Sequence, residues 1–381
     1  MSPRILIHVQ HLLGIGHLRR AALLARTLAA RGAEVMCVSG GYPVADIDFG
    51  AARLHQLPAA RAQDLSYKRL VDIHGELIDD VWRQRRCTEL LAVVAHFRPD
   101  IIVTETFPFG RRLLRFELES LIEWVTTQPG VRLVASIRDI LEGFASRSLR
   151  VEYAVATVRK HYGAVLVHAD PDWVRLDATF AGTNEIIDKV HYTGYISDNN
   201  PVAAAKRVKG AGEVLVSTGG GAVAAELAQA AVSAARVDRS GVLWRVLLGP
   251  NFPDAEFQVL RSLAQSNLEV ERNRADFPEL LAHAAVSVSQ GGYNTVAELL
   301  STNTPAVIVP FVASGQSEQT RRAQLLAARG RVVVVMPAML TSTSLGAAVA
   351  RAAGLNVPQH GARLHGAHAS ADYLLQLVHA N

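Results

Sequence analysis

The sequence predicts an α/β protein made of two Rossmann-like lobes, each with a parallel sheet. Its 381 residues are enough for two ordinary domains. Apolar residues make up 49% and charged residues 19%, which is the balance of a globular protein with a substantial core. In both halves, short apolar runs typical of buried strands alternate with helix-like segments, and this alternation indicates parallel sheets.

The domain boundary is predicted from composition. Residues 196–212 are rich in Asn, Ala and Lys and contain Pro201, so we expect an interdomain linker there. A last leucine-rich helix is expected from Ala371 to Ala380, with Ser370 as its N-terminal cap. The predicted parts are then a first lobe, the linker, a second lobe and a C-terminal helix, at 1–195, 196–212, 213–368 and 369–381.

The first lobe opens with a strand, a glycine-containing turn and a helix. Ile5 to Val9 is the strand, and Ala33 to Ser39 is the next one, which makes a βαβ unit. The turn, Gly14-x-Gly16, is not a dinucleotide fingerprint, because it lacks the third glycine and no acidic residue ends the second strand. His17 stands at the helix start, and an imidazole there suits a general base because it titrates near neutrality. A histidine that merely fills the turn is the alternative.

Polar residues follow the other predicted strands of the first lobe. These strands are expected at 100–104, 132–136 and 164–168. Ligands of doubly wound sheets bind beyond the carboxyl ends of the strands. Glu105, Arg138 and Asp139 are therefore candidate site residues on the acceptor side of the reaction, although a helix cap or a surface ion pair is the alternative for each.

Two glycine turns mark the second lobe. One follows a predicted strand at 213–216, and the other follows a predicted strand at 284–288 and opens a helix. Glycine lets the backbone approach a phosphate closely, and a helix N-terminus favours an anion. The predicted diphosphate contacts, together with Gly16 of the first loop, are Gly219, Gly220, Gly221, Ala222, Gly291, Gly292, Tyr293, Asn294 and Thr295. Glu298, on the same helix, is placed to accept hydrogen bonds from a ribose.

The second of these turns carries a recognisable pattern. Gly292, Thr295, Val296 and Glu298 spell Gly-x-x-Thr-Val-x-Glu, and the segment 284–330 resembles the donor-binding half of the MurG-like GT-B glycosyltransferases of family 28. The Gly-His that closes the first loop resembles the same family. The resemblance implies two lobes facing a central cleft, with the last helix crossing back to the first lobe. It also implies inverting transfer of a sugar from a nucleotide-diphosphate sugar, of the UDP-linked N-acetylhexosamine kind, to an acceptor hydroxyl.

The resemblance also implies individual roles. His17 is the catalytic base, Glu298 binds the ribose, and Gln316, Glu318 and Gln319 bind the donor sugar. The family often has two glutamines or Asp-Gln at the last two positions, so Glu318 is a departure that leaves the sugar open. The expected partners are a nucleotide-sugar donor and a sugar, lipid-linked or small-molecule acceptor. No metal is expected, and no cofactor beyond this co-substrate, so Asp46-x-Asp48 and Asp170-x-Asp172 are interpreted as loops.

Charge and cysteine content exclude other classes. A formal net charge of +4 is too small for a polybasic protein and does not point to nucleic acid. Cys37 and Cys87 form neither a disulfide framework nor a metal-binding spacing, which favours a reducing cytoplasm. No apolar run reaches the ~20 residues of a spanning helix. At most, the stretch 107–116, which mixes arginines with aromatic residues, predicts peripheral contact with an anionic membrane face.

Three other functions stay open at this point. A nucleotide-sugar hydrolase with the same loop, Gly14, Gly16, His17 and Arg20, would use the imidazole to activate water. A nucleotide-sugar 2-epimerase would need more acid and base residues around the sugar. A non-catalytic protein that senses a nucleotide sugar would keep the second lobe without needing His17.

Overall fold

The chain forms two compact units. The computed structural model describes residues 2–45, 47–64, 67–197, 212–219, 225–249, 252–312, 317–357 and 362–379. The first unit comprises Met1–Pro171, Arg175–Asp198 and His365–Asn381, and the second comprises Asp172–Val174 and Asn199–Leu364. The C-terminal segment therefore belongs to the first unit, although the chain reaches it only after completing the second.

The first unit is built on a seven-stranded parallel sheet. The strands of the unit are β1 (Arg4–Val9), β2 (Glu34–Ser39), β3 (Arg53–Gln56), β4 (Ala60–Ala62), β5 (Leu70–Asp72), β6 (Ile101–Glu105), β7 (Arg132–Arg138), β8 (Tyr162–His168) and β9 (Val190–Tyr192). The sheet has the order β3-β2-β1-β6-β7-β8-β9, while β4 and β5 pair separately as a small antiparallel ribbon. The chain thus adds strands on one side of β1 and then on the other, which is the Rossmann order.

Helices cover both faces of this sheet. They are α1 (Gly16–Ala30), α2 (Asp80–Phe97), α3 (Arg115–Thr126) and α4 (Leu149–His161), joined by short 3₁₀ turns at Arg112–Leu114, Leu176–Ala178 and Thr183–Lys189. Successive strand side chains point to opposite faces. Leu6 of β1 accordingly packs in the core that α2, α3 and α4 cover, whereas Ile5 and Ile7 pack on the side of α1.

The second unit repeats the architecture with six parallel strands. They are β10 (Val214–Ser217), β11 (Trp244–Leu248), β12 (Leu268–Arg272), β13 (Val286–Ser289), β14 (Ala306–Ile308) and β15 (Val332–Val334), in the order β12-β11-β10-β13-β14-β15. Its helices are α5 (Ala225–Val237), α6 (Asp254–Ser262), α7 (Phe277–His283), α8 (Tyr293–Leu300), α9 (Glu318–Ala327) and α10 (Ser342–Ala353), with a 3₁₀ turn at Pro337–Met339. The predicted α/β class with two parallel sheets is confirmed.

The last helix, α11 (Gly366–His379), begins earlier than the sequence predicts. Ser370 is not its cap: it lies inside the helix, and its hydroxyl donates to the Gly366 carbonyl one turn back, at 2.6 Å. Ala371 and Leu374 pack in the core of the first unit beside α1. The helix begins at a glycine because a Cβ on Gly366 would lie only 2.3 Å from the Gly194 carbonyl oxygen.

The stretch 107–116 contributes apolar side chains to the core of the first unit. Phe107 and Phe109 are 1% and 2% exposed, and Leu114 is fully buried. These three apolar side chains build the core, whereas Leu113 and Phe116 are partly buried against it, and peripheral membrane contact stays a prediction. Within the described residues, no helix is long and apolar enough to cross a membrane.

Two glycine substitutions in helices test this packing. Gly366→Ala would push a methyl group into the backbone of Gly194 and Tyr195, so we expect a loss of about 1–3 kcal/mol of unfolding free energy. Gly346→Ala is the matched control: it lies inside α10 with open space around it, so the same change should be neutral or stabilise by up to about 1 kcal/mol. Urea unfolding of both variants measures the difference, and equal effects would contradict the close approach.

Candidate active site

The candidate site of the first unit lies where the strand order of its sheet reverses. β1 pairs with β2 on one side and with β6 on the other. The loop after β1 and the last residue of β6 therefore meet at the same carboxyl edge, which is where doubly wound sheets bind ligands. His17 occupies the first turn of α1, and Glu105 ends β6.

A buried carboxylate holds the histidine. Glu105 Oε1 lies 2.9 Å from His17 Nδ1, and the same oxygen forms an ion pair with Arg20. Its other oxygen accepts the hydroxyl proton of Ser136, which is Glu105's partner in the pairing of β6 with β7. Two elements, α1 with His17 and Arg20 and β7 with Ser136, thus converge on one carboxylate.

Two contacts bear on which imidazole nitrogen carries the proton. An ionised carboxylate only accepts hydrogen bonds, so the 2.9 Å contact with Glu105 favours a proton on His17 Nδ1, whereas a terminal nitrogen of Arg20, which only donates, lies 3.0 Å from the same atom. The hydrogen bond from His17 to Glu105 raises the pKa of the imidazole, which agrees with a proton on Nδ1. In the neutral imidazole, Nε2 is then the acceptor. The side chain keeps 14% of its surface exposed, so it is not sealed inside the unit. A neutral histidine with Nε2 unprotonated is the form that can remove a proton from a hydroxyl.

The charges around the pair keep it in that state. Burial, with the positive charges of Arg111 and Arg138, holds the pKa of His17 well below its usual range, against the hydrogen bond to Glu105, which raises it. Burial by itself would raise the pKa of Glu105, but the charge of Arg20 and the His17 hydrogen bond outweigh it, and the pKa lies well below its usual range. At neutral pH the carboxyl is ionised and the imidazole is neutral.

A second layer of hydrogen bonds supports the carboxylate. Ser136 Oγ lies 2.9 Å from His168 Nε2, and His168 Nδ1 lies 2.8 Å from Thr193 Oγ1. Burial lowers the pKa of His168 to about 3, so this imidazole stays neutral. This series of hydrogen bonds, from Glu105 through Ser136 and His168 to Thr193, fixes the orientation of the Glu105 carboxylate.

The three candidate residues for the acceptor side differ in burial and in their contacts. Glu105 is 3% exposed and holds His17, so it does not line an open acceptor surface. Asp139 is fully buried, and its carboxylate accepts the Ile140 backbone amide at 2.9 Å. Its place on the acceptor side stays a prediction. Arg138, the last residue of β7, is half-buried and stays near His17, whose pKa its charge lowers.

In the second unit, the two glycine turns come together. β10 and β13 pair in parallel with Ser217 opposite Ser289, so Gly219 and Gly291 each lie two residues beyond adjacent strand ends. Gly219 has φ +70°, a conformation that favours glycine. Here too the strand order reverses, between β10 and β13. Gly220, Gly221, Ala222 and Gln316 lie outside the described residues, as does Asp46, and Gly16 belongs to the first unit.

The Gly291 amide is already engaged. It donates to Gln319 Oε1 at 3.0 Å, and the Phe311 amide donates to the same oxygen at 3.0 Å. The amide is thus engaged within the protein, and its predicted contact with a diphosphate stays a prediction. Gly292 is the N-terminal cap of α8, so Tyr293, Asn294 and Thr295 occupy its first turn. The N-terminal turn of a helix favours an anion, and the predicted contact of these residues with a diphosphate stays a prediction.

A buried arginine braces the same turn. Arg322 is fully buried, and it donates to the Gly291 carbonyl at 2.7 Å and to Glu318 Oε1 at 2.6 Å. The departure at Glu318 thus has a structural role, because a buried guanidinium needs a counter-charge. This oxygen of Glu318 pairs with Arg322, and contact of Glu318 with a donor sugar stays a prediction. Glu298 is half-buried in the second turn of α8.

No metal cluster was found among the described residues. Nowhere in them do three His, Cys, Asp or Glu side chains gather to hold an ion. Asp48 instead accepts the Gly50 amide and pairs with Arg26, both at 2.7 Å.

Known proteins resemble the chain in sequence and in fold. The profile of the glycosyltransferase family 28 C-terminal domain matches residues 214–356. An uncharacterized glycosyltransferase of Methanosarcina mazei is 22% identical over 83% of this chain and 82% of its own. The UDP-N-acetylglucosamine--N-acetylmuramyl-(pentapeptide) pyrophosphoryl-undecaprenol N-acetylglucosamine transferase of a Synechococcus species is 35% identical, but the match covers 33% of this chain and 34% of that protein.

Solved structures extend the likeness over the whole chain. MurG of Acinetobacter baumannii superposes with a TM-score of 0.64 at 14% identity, covering 98% of this chain and all of its own. A kitacinnamycin glycotransferase superposes with a TM-score of 0.64 at 18% identity, covering 99% of this chain and 100% of its own. At such identities the superpositions show the fold alone.

Together, the superposed structures give the chain the GT-B fold, and the profile match identifies residues 214–356 as a glycosyltransferase family 28 C-terminal domain, so the chain is a glycosyltransferase. It is similar to MurG in this domain and in its fold, and these similarities support glycosyl transfer from a nucleotide sugar.

The sequence did not reveal the residues that position His17 and the second-unit turn. Arg20 was singled out only as part of a loop pattern, and Ser136 and His168 only as strand ends. The strand order offers one signal. In a Rossmann sheet the first strand adjoins the fourth, which here is β6, so Glu105 at the end of β6 can reach the loop after β1. No local pattern distinguishes Arg322 from the surface arginines of a helix.

The buried His168 predicts a pH dependence of stability. Its folded pKa of about 3 lies below the unfolded value near 6.5, so the unfolded state binds the proton first as pH falls. The contribution is present above about pH 6.5 and is lost progressively toward about pH 3. Between pH 7 and pH 5, this residue should reduce the free energy of unfolding by about 2 kcal/mol. His168→Gln should flatten this part of the profile in urea titrations at several pH values, and an unchanged slope would contradict a buried neutral imidazole.

Proposed function

We propose that the protein transfers a sugar, with inversion, from a UDP-linked hexose or N-acetylhexosamine donor to an acceptor hydroxyl without a divalent metal. The observation that carries the proposal is the His17–Glu105 pair at the switch point of the first sheet. It supplies a neutral, oriented imidazole where a ligand of this fold binds. The names of the MurG relatives support the donor class, and the family 28 domain supports its placement in the second unit.

In the proposed reaction, one proton moves and one bond replaces another. The acceptor hydroxyl gives its proton to His17 Nε2, and its oxygen attacks the anomeric carbon. The bond between that carbon and the diphosphate oxygen breaks on the opposite face, so the configuration inverts. Charge develops on the departing nucleoside diphosphate, and the N-terminal turn of α8, with the turn after β10, would stabilise it through backbone amides.

His17→Ala tests the base. It should lower kcat for transfer by about 10²- to 10⁴-fold while donor affinity stays near wild type, because the donor is assigned to the other unit. Donor affinity is measured by calorimetry and turnover by release of UDP with an acceptor present. His74→Ala, at an exposed position of the same unit, is the control. Wild-type turnover in His17→Ala would remove the imidazole from the mechanism.

Glu105→Gln tests the partner of the base. The amide still accepts from Nδ1 but no longer offsets the arginines, so the His17 pKa falls further and the imidazole becomes a weaker base. We expect kcat to fall at least about tenfold, with the acidic limb of the pH–rate profile shifted to lower pH. Glu123→Gln, at an exposed position, should change neither. If losing the counter-charge of buried Arg20 unfolds this variant, Ser136→Ala removes only one hydrogen bond from Glu105 and should shift the limb less.

The same assay separates the other functions. The protein is incubated with a panel of nucleotide sugars, with and without acceptors. Free sugar in the absence of acceptor would indicate a hydrolase in which His17 activates water. An isomeric nucleotide sugar would indicate an epimerase, and binding without conversion a sensor. A glycoside that forms only when donor and acceptor are both present supports the transferase.

A further inference from the structure

Arg111 has hydrogen-bond donors without acceptors. It lies between β6 and α3, and its Nε and one terminal nitrogen are shielded from solvent, with no hydrogen-bond partner among the described residues. Its backbone adopts a left-handed conformation, with φ 58°. Shielded donors without partners cost free energy that an incoming acceptor group would recover.

The two atoms concerned form one edge of the guanidinium. Nε–H and one N–H of the neighbouring terminal nitrogen point the same way, with the spacing of two oxygens of a carboxylate or a phosphate. Burial lowers the pKa of Arg111 to about 10, so the group is still a cation at neutral pH. Arg111 therefore offers a charged, planar fork.

Arg138 adds a second positive charge. It lies two residues beyond Ser136 on β7, so both side chains are on the same face of the sheet, and Ser136 contacts Glu105. Arg20 pairs with Glu105, whereas the charges of Arg111 and Arg138 act on His17 and lower its pKa. Other titratable groups also interact electrostatically with these arginines. They are Glu105, Arg20, His168, Tyr67 and His11. An anion held at Arg111 would therefore act on the imidazole as well.

We propose that Arg111 and Arg138 bind an anionic group of the acceptor, a carboxylate or a phosphate, next to the hydroxyl that His17 deprotonates. The proposal rests on the proposed function, since the acceptor reaches His17 only if the protein is a transferase. It assigns the substrate class: acceptors with an acidic group close to the reacting hydroxyl. A neutral acceptor leaves the shielded edge of Arg111 unpaired and binds more weakly.

The first experiment measures the anion site without any transfer. In protein with isotope-labelled histidines, the His17 resonance is assigned by its loss in His17→Ala, and its pKa is measured by NMR in sulfate and in chloride at equal ionic strength. Sulfate bound at Arg111 offsets the charge that lowers this pKa, so sulfate should raise it. In Arg111→Gln, the pKa should be higher than in wild type without sulfate and should no longer respond to it.

Two variants sharpen the result. Arg112→Gln removes the same charge from the next residue, which is exposed, and should respond to sulfate as wild type does. Arg111→Lys keeps the charge but loses the fork, so its response should lie between those of wild type and Arg111→Gln. A His17 pKa that sulfate leaves unchanged in wild type overturns the proposal. So does an Arg111→Gln variant that responds fully.

The second experiment uses matched acceptors: a neutral sugar, its uronate and its phosphate ester. Arg111→Gln should raise KM for the anionic members by about tenfold to a hundredfold relative to KM for the neutral sugar. A larger effect on the uronate or on the phosphate ester identifies the anion. Equal changes for all three overturn the proposal. If sulfate raises the His17 pKa but no acceptor is glycosylated, the result supports the anion site and contradicts the proposed transfer function.

Discussion

The buried carboxylate of Glu105 is the constraint on which the carboxyl edge of the first sheet depends. An ionised carboxylate that is 3% exposed is tolerated only if its oxygens are fully paired. The pairing draws in Arg20 and His17 from α1 and Ser136 from β7, and through Ser136 it reaches His168 at the end of β8. Three neighbouring strands and one helix are thereby fixed in relation to one imidazole, and this rigidity is what a general base needs.

The second unit also contains a buried charged group that needs partners, but there the charge is positive. There the buried ion is the guanidinium of Arg322, and it joins the turn after β13 to the start of α9 through Gly291 and Glu318. Gln319 joins the same turn to the segment after β14. The two residues that the family pattern associates with a sugar are therefore also residues that hold the turn after β13 in place. A substitution at Glu318 or Gln319 would alter the shape of this turn as well as any contact with a sugar.

The sequence predicted the architecture well because local physics determines it. Apolar runs between glycine turns located strands such as β1, β7 and β13 to within a few residues, and their alternation with helices implied parallel sheets. Contacts between distant parts of the chain were not predictable in this way. His17 and Glu105 are 88 residues apart, and nothing near either residue indicates the other. Ser370 illustrates the same limit, since the true helix start depends on Gly366 meeting the backbone of Gly194.

The arginines near His17 give the proposed anion site a consequence for catalysis. A depressed pKa keeps the imidazole neutral but also makes it a weak base, so the site without acceptor is poorly suited to activate water. An anionic acceptor would offset Arg111 and Arg138, raise the basicity of His17 and place its hydroxyl beside Nε2 in one event. The binding energy of the anion would then improve the base only for the molecule that is meant to react. A transferase that must protect its donor from hydrolysis gains from such coupling, because water cannot supply the charge.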